Sequence, residues 1–439
     1  MTAPTMLPKT PSPQAPDHGP FLRLVQVLLT VIVLAMLASF FTWTENVTVT
    51  RVAKMVARVA MTGAAFGVYR LILARGAVDS FRWQHSLAPL LYGAYLVLGV
   101  ASLLWSTSPG YSLLQLVMDV ASLAFAYFFV KCFLLLEAFF PSRSVRLSQV
   151  LGTASFLLVL LFVVGFMVAP EVFGRLTHGE AENRLGGYFI NPNELGMLCV
   201  VCLSCLWLGL YRGHRPVRTV LQMLPVLAAL VLTGSRSSLV GFLLIVGFHI
   251  WQANSTRLKL ALGTATLLAL PLAVRTVFIK QGGLDEVLNM TGRLPFWHAL
   301  LTEGLPKEPL LGYGFMRIAY GDYFQSAHTY AAQMTHNTFI QVLLNLGLVG
   351  FAIVLAQLAF TLRGFAAYPT REGRLLLLGI FLPILINSFT EFGIFGMSNY
   401  GILFYQLLIF LVSLRYNPRL STPEQLFIKR MRPELVPAG

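Results

Sequence analysis

The sequence predicts an all-α polytopic membrane protein. It has about twelve transmembrane helices and a long, partly helical loop capping one end of the bundle. Three observations carry this reading. Hydrophobic residues make up 56% of the 439 positions and charged residues only 11%, where a soluble domain of this size carries about a quarter charged residues. Apolar runs of about 20 residues, enough to cross a hydrocarbon core of about 30 Å, recur along the whole chain. Lys and Arg gather in alternate connections between those runs.

The runs fall at roughly 22–41, 52–72, 86–105, 112–135, 147–169, 194–211, 217–233, 236–252, 258–275, 337–362, 374–391 and 398–416. An even number places both termini on one side. The connections "RGAVDSFR", "PSRSVR", "YRGHRPVR", "STRLK" and "RGFAAYPTREGR" share that side with the tail "FIKRMRP", whereas "STSPGY" and "EFGIFGMSN" hold no Lys or Arg. Retention of basic loops on the inner side makes the termini cytoplasmic. The net charge of +14 is then a topology signal and an attraction to anionic membrane lipid, with no call for nucleic acid. The expected order is a disordered tail (1–20), nine helices (21–275) with an outward loop at 170–193, a large outward loop (276–336), three helices (337–416) and a basic tail (417–439).

Along the chain, the first outward loop "TWTENVTVT" holds one carboxylate, Glu45, and no Asp-x-Asp pattern for a divalent cation. No outward cluster has metal-ligand spacing, so no metal is expected. Asp119 lies about two turns into the fourth run, where a carboxylate is costly and needs a function or a partner. In the loop at 170–193, Arg184 precedes Gly186-Gly187 and the turn Asn191-Pro192-Asn193 at a helix start, a set suited to an anion. Cys199, Cys202 and Cys205 recur within the sixth run as small packing residues, and no outward disulfide is expected. Arg236 in "LTGSRSSL" has two readings, snorkelling to headgroups or binding phosphate together with the N–H and hydroxyl groups of Gly234, Ser235, Ser237 and Ser238.

The large outward loop alternates helical pattern with Gly and Pro. Leu294, Trp297, Leu300 and Leu301 recur at helical spacing, which predicts an amphipathic helix, and Gly312-Tyr313-Gly314 predicts a tight turn. Arg293 is open between a structural ion pair and a ligand contact. In "MTHNTFIQVLLNLGLVG", Asn337, Gln341 and Asn345 stand four apart and form a polar strip that must face the bundle interior or a cavity. His336 stands at the outer end of that strip, either bonded to a loop carbonyl or acting as a base. Glu391, expected at the outer end of the eleventh run, either pairs with an arginine or binds a sugar hydroxyl.

Five stretches now stand in order: "RLGGYFINPNELG", "LTGSRSSL", "TGRLPFW", "PLLGYGF" and "THNTFIQVLLNLGLVG". Together they resemble the O-antigen ligase and polymerase superfamily of bacterial inner membranes. The resemblance covers residues 180–350 by motif and the whole chain by helix layout. It implies a GT-C-like glycosyltransferase with a periplasmic active site and no metal or other cofactor. The implied donor is an O-antigen polysaccharide on undecaprenyl diphosphate. For the ligase branch the acceptor is a sugar hydroxyl of lipid A–core, joined with inversion to give lipopolysaccharide. By motif position the family's important arginines fall on Arg184 and Arg236, and its histidine on His336. Polymerases and protein O-glycosylating ligases share these motifs. A transporter or flippase of an anionic lipid-linked glycan is the reading from another class, against which the chain shows no inverted repeat.

Overall fold

The computed structural model describes residues 19–140, 145–177, 182–211, 216–252, 256–273, 293–316, 335–391, 393–397 and 399–417. The expected tails and most of the large loop (274–292 and 317–334) lie outside the described residues.

Every apolar run coincides with a helix. These are α1 (Gly19–Ala38), α2 (Val47–Ala74), α3 (Leu87–Ala101), α4 (Pro109–Phe139), α5 (Leu147–Val168), α6 (Pro192–Tyr211), α7 (Pro216–Leu232), α8 (Arg236–Gln252), α9 (Thr256–Ala273), α10 (Thr338–Ala366), α11 (Arg371–Asn387) and α12 (Tyr400–Ser413). Seven helices among the described residues are long and apolar enough to cross a membrane, so this is a multi-pass, all-α membrane protein. Their starts follow from local chemistry. The side chains of Asn46, Thr370 and Asn399 accept from backbone N–H groups in the first turns of α2, α11 and α12. Pro109, Pro192 and Pro216 open α4, α6 and α7, where a missing N–H costs nothing.

The structure corrects three details. The eleventh run stops being helical at Asn387, so Glu391 lies beyond α11 in a turn, its N–H bonded to the Asn387 carbonyl at 2.7 Å. Ser388 Oγ bonds back to the Ile384 carbonyl at 2.8 Å, the kind of local competition that ends a helix. In the cap, residues Arg293–Ala299 are helical and Leu300–Gly304 form a wider π turn. The buried face is Phe296, Ala299 and Leu300; Phe296 and Leu300 cluster with Tyr313 and Leu344, while Leu294 and Leu301 stay exposed. Finally, two short antiparallel pairs accompany the helices. β1 (Phe81–Trp83) pairs with β4 (Leu414–Tyr416), and β2 (Gly174–Thr177) with β3 (Glu182–Leu185).

Several polar side chains inside the bundle pair across helices, as a low-dielectric interior favours. Asp119 on α4 accepts from Tyr92 Oη of α3 at 3.0 Å and from Gln406 Nε2 of α12, so it ties three helices together. Gln357 on α10 receives the Tyr405 hydroxyl at 2.6 Å and donates to the Ala88 carbonyl at 3.3 Å. The three cysteines of α6 are free and buried; Cys202 Sγ lies 3.7 Å from the Gly152 carbonyl of α5, as small packing residues do.

Helix α10 carries the feature that seats the cap. At Gly347 the backbone leaves helical geometry, with φ +61° and ψ −163°. The segment Pro309–Gly314 takes up the hydrogen bonds freed there. Leu348 N–H donates to the Pro309 carbonyl at 2.9 Å, and Val349 N–H to that of Leu310 at 3.2 Å. In return Tyr313 and Gly314 donate to the carbonyls of Leu344 and Asn345 at 3.0 and 2.8 Å. The polar strip Gln341–Asn345 is buried against this insertion. An L side chain at Gly347 would adopt a conformation open mainly to glycine, and its Cβ would collide with the Leu310 carbonyl. Gly347→Ala should therefore destabilise the protein by roughly 1–3 kcal/mol. Thermal unfolding in detergent checks this: an unchanged midpoint would mean that the break is not required.

Candidate functional site

The site lies where four segments remote in sequence meet at one end of the bundle. The β2–β3 hairpin supplies Arg184, the start of α6 supplies Asn193, the residues before α10 supply His336, and the turn after α11 supplies Glu391. Arg293, at the first turn of the cap helix, closes the cluster.

Glu391 is its centre. The residue is 5% exposed. Its Oε1 accepts from Asn193 Nδ2 at 2.8 Å and from Arg293 Nη2 at 3.1 Å, and its Oε2 lies 2.7 Å from His336 Nδ1. Burial pushes the carboxyl up, but the His336 ring, Arg293 and the Asn193 amide outweigh it and hold it below the ordinary 4.5. Arg293 also donates to the Thr390 carbonyl, so its guanidinium bridges that carbonyl and the Glu391 carboxylate.

Arg184 is fixed rather than mobile. Its Nε donates to the Thr233 carbonyl at 2.7 Å and its Nη2 to Asn193 Oδ1 at 2.8 Å. Asn193 thus joins Arg184 to Glu391 through the two ends of one amide. The loop between them turns back through Gly187, whose φ is +58° and whose added Cβ would strike the Val172 carbonyl. Only glycine fits that approach.

Arg236 is the first residue of α8 and half-buried, on the same turn that Arg184 reaches through Thr233. The serines beside it, expected to offer hydroxyls to an anion, are instead committed to packing. Ser237 Oγ donates to Asn387 Oδ1 at 3.2 Å, Ser238 Oγ to the Asn193 carbonyl at 3.3 Å, and Ser235 Oγ to Ser238 Oγ at 2.8 Å. These bonds pin the start of α8 to α6 and α11. Two further candidate ligand contacts also make bonds within the protein. Asn337 caps α10, its Oδ1 accepting from Phe339 and Ile340 N–H at 2.9 and 3.1 Å, and its Nδ2 donates to the Phe389 carbonyl. Asn191 Oδ1 accepts from Asn193 N–H at 2.9 Å, which shapes the turn into α6.

His336 itself has φ +49°, a left-handed conformation uncommon outside glycine. Neighbours hold it there: Trp297 Nε1 donates to the Thr335 carbonyl at 2.6 Å, and Thr338 N–H donates to the Ser388 carbonyl at 2.8 Å. A strained backbone at a charged, partly open cluster is typical of functional sites.

Residues 220–355 match the model of a protein family described as O-antigen ligase. That match spans about a third of the chain. The matched residues include Arg236, Arg293, His336 and Asn337, while Arg184, Asn193 and Glu391, which complete the cluster, stand outside them. No curated protein matches the chain.

One group was legible in the sequence but missed there. Arg51, Lys54 and Arg58 recur at i, i+3 and i+7 on one face of α2. Arg58 is buried and lies 4.0 Å over the Phe40 ring. Glu194, beside Asn193, lies within electrostatic reach of Lys54, Arg58 and Glu391. Charges on one face of an apolar helix are the signal that would have found them.

Because the folded carboxyl of Glu391 titrates below its ordinary 4.5, its contribution to stability is full above that value and disappears as pH falls through the depressed one. Glu391→Gln should cost on the order of 3 kcal/mol at neutral pH, since it leaves Arg293 short of its counter-charge. The gap between wild type and variant should close as pH drops below about 4.5. Melting curves of both proteins from pH 3 to 8 would show it; a gap independent of pH would rule the ion-pair account out.

Proposed function

We propose that the protein is an O-antigen ligase. It transfers O-antigen polysaccharide from undecaprenyl diphosphate to a sugar hydroxyl of lipid A–core at the periplasmic face of the bacterial inner membrane. On this reading all twelve helices cross the membrane in a GT-C-like arrangement, both termini are cytoplasmic, and the cluster around Glu391 faces the periplasm. The observation that supports it best is the His336–Glu391 pair, 2.7 Å apart, set beside Arg184, Arg293 and the start of α8.

The chemistry follows from this placement. Glu391 binds the Nδ1 side of His336, which leaves Nε2 as the nitrogen that takes the proton of the acceptor hydroxyl. The ionised carboxylate orients the ring and stabilises the imidazolium as it forms, as in other His–carboxylate pairs. The acceptor oxygen attacks the anomeric carbon from the face opposite the leaving diphosphate, and the configuration inverts. Negative charge grows on the departing diphosphate. The guanidinium of Arg184, held by two hydrogen bonds, and that of Arg236 at a helix N-terminus stabilise it without a metal ion. Both meet the phosphate as planar forks, which a lysine cannot copy.

Purified protein, lipid-diphosphate glycan and lipid A–core together test the proposal. A covalent conjugate is expected, and the reaction should survive excess EDTA. Loss on chelation with rescue by Mg²⁺ would replace the arginine clamp with a metal. Conjugation only to a second lipid-linked glycan or to a protein would reassign the acceptor, and movement of donor across liposomes without conjugation would make the protein a transporter.

Variants separate the roles. His336→Ala should slow transfer by about 10²–10⁴-fold, the contribution usual for a general base, with donor affinity nearly intact. Arg236→Ala should lose about 10²–10³-fold in turnover, by analogy with removal of a transition-state anion contact, and should also weaken donor binding. Arg236→Lys should rescue it poorly. A His336→Ala variant that loses donor binding as severely as Arg236→Ala would move His336 from base to phosphate ligand.

A further inference from the structure

We propose that Trp43 and Tyr188 form a stacking platform for the sugar ring next to the donor diphosphate. The inference rests on the reading of Arg184 as a diphosphate contact and adds a sugar subsite beside it.

Trp43 follows α1 at the site end of the bundle and is 53% exposed. An exposed Trp at the end of a membrane helix ordinarily belongs to the interfacial belt, with its apolar ring toward lipid and its N–H toward water or headgroups. Trp43 is built differently. Its Nε1 donates at 3.1 Å to the carbonyl of Ala38, the last residue of α1, which also accepts from the Phe41 N–H at 3.1 Å. The indole has a single donor, so its polar handle is turned into the protein. What it presents outward is ring carbon.

The ring is also rigid. Phe41 and Phe189 flank it, with ring centroids at 5.5 and 5.8 Å. Phe189 in turn packs on Phe162 and Phe173. A platform held on two sides loses little freedom when a ligand settles on it.

Position links the platform to the site. Thr42 N–H donates to the Phe189 carbonyl at 2.8 Å, so the residue before Trp43 is bonded to the loop that runs from Arg184 to Asn193. On that loop Phe189 points into the aromatic cluster, while its neighbour Tyr188 is 48% exposed. Two exposed aromatic rings therefore flank Phe189, on the loop that runs from Arg184, the arginine read as a diphosphate contact. The group directly bonded to that diphosphate is a pyranose, and the C–H face of a pyranose is an apolar surface of about the size of an aromatic ring. Stacking it on carbon faces fits where a charged or purely polar group would not.

The test compares two lipids, undecaprenyl diphosphate and the same lipid carrying one N-acetylhexosamine, binding to purified protein in nanodiscs. Wild type should prefer the sugar-bearing lipid. Trp43→Ala and Tyr188→Ala should each lower that preference by roughly three- to tenfold, the range of one aromatic contact. Affinity for the bare lipid should be unchanged, and Trp43→Phe should keep most of the preference. Melting temperatures of the variants show whether the fold is kept, and the bare-lipid affinity serves as the internal reference if it softens. An unchanged preference in Trp43→Ala would overturn the platform alone. Equal loss for both lipids would return Trp43 to the interfacial belt. Failure of wild type to bind either lipid would remove the diphosphate reading and the platform with it.

Discussion

A carboxylate buried at the end of a helix bundle has to be answered on all sides, and Glu391 imposes that condition on everything around it. Leaving such a charge unpaired costs several kcal/mol. The protein answers it with a guanidinium from the cap, an amide from α6 and an imidazole from the segment before α10. Each partner is itself placed by a second contact. Arg293 holds the Thr390 carbonyl, Asn193 holds Arg184, and His336 is kept in a left-handed conformation by the bonds of Thr335 and Thr338. Removing the carboxylate would therefore release three segments that meet nowhere else with the same chemistry.

The second constraint is the backbone. In hydrocarbon every N–H and C=O must be paired, so a helix can break only where another segment supplies the missing partners. Helix α10 breaks at Gly347 and the Pro309–Gly314 segment supplies them. This exchange fixes the cap to the bundle, because the cap cannot leave without stranding carbonyls of Leu344 and Asn345. The same insertion puts the helix that carries Arg293 and Trp297 directly over His336. Cap and site are thus one mechanical unit, although 18 residues (317–334) separate Met316 from Thr335 in sequence.

Much of this was legible beforehand, for a physical reason. Crossing a bilayer demands about 20 apolar residues, a signal strong enough that all twelve helices stand where the apolar runs stand. Arginine and histidine are expensive near lipid, so Arg184, Arg236, Arg293 and His336 stood out as isolated polar residues in an apolar chain, and three of them are linked through Asn193 and Glu391. What the chain hid was pairing. Nothing in "TEFG" says that Glu391 will meet His336 rather than a sugar, because the two are 55 residues apart. The hydroxyls of "GSRSS" read as anion donors for the same reason: composition shows that a serine can donate, while only packing shows that Asn387 and Asn193 already receive it. The break at Gly347 was invisible because glycine is common in membrane helices.

On the proposed reading, the arrangement also accounts for an anion binding at this end of the bundle even though its central residue is a carboxylate. Helices α6, α8 and α10 all begin here, at Pro192, Arg236 and Thr338. Their starts are bonded together through Ser238 to the Asn193 carbonyl, Ser237 to Asn387, and Thr338 to the Ser388 carbonyl. Each helix start carries roughly half a positive charge, so three of them with Arg184, Arg236 and Arg293 outweigh the carboxylates of Glu391 and Glu194. The carboxylate of Glu391 is answered by Arg293 and His336, and on the proposed reading the field of Arg184, Arg236 and the helix starts acts on the incoming ligand. A lipid diphosphate is held at headgroup level by its own tail, and an acceptor sugar arrives through water. On the proposed reading the two meet only at the helix ends, and that is where a histidine serving as base has to stand.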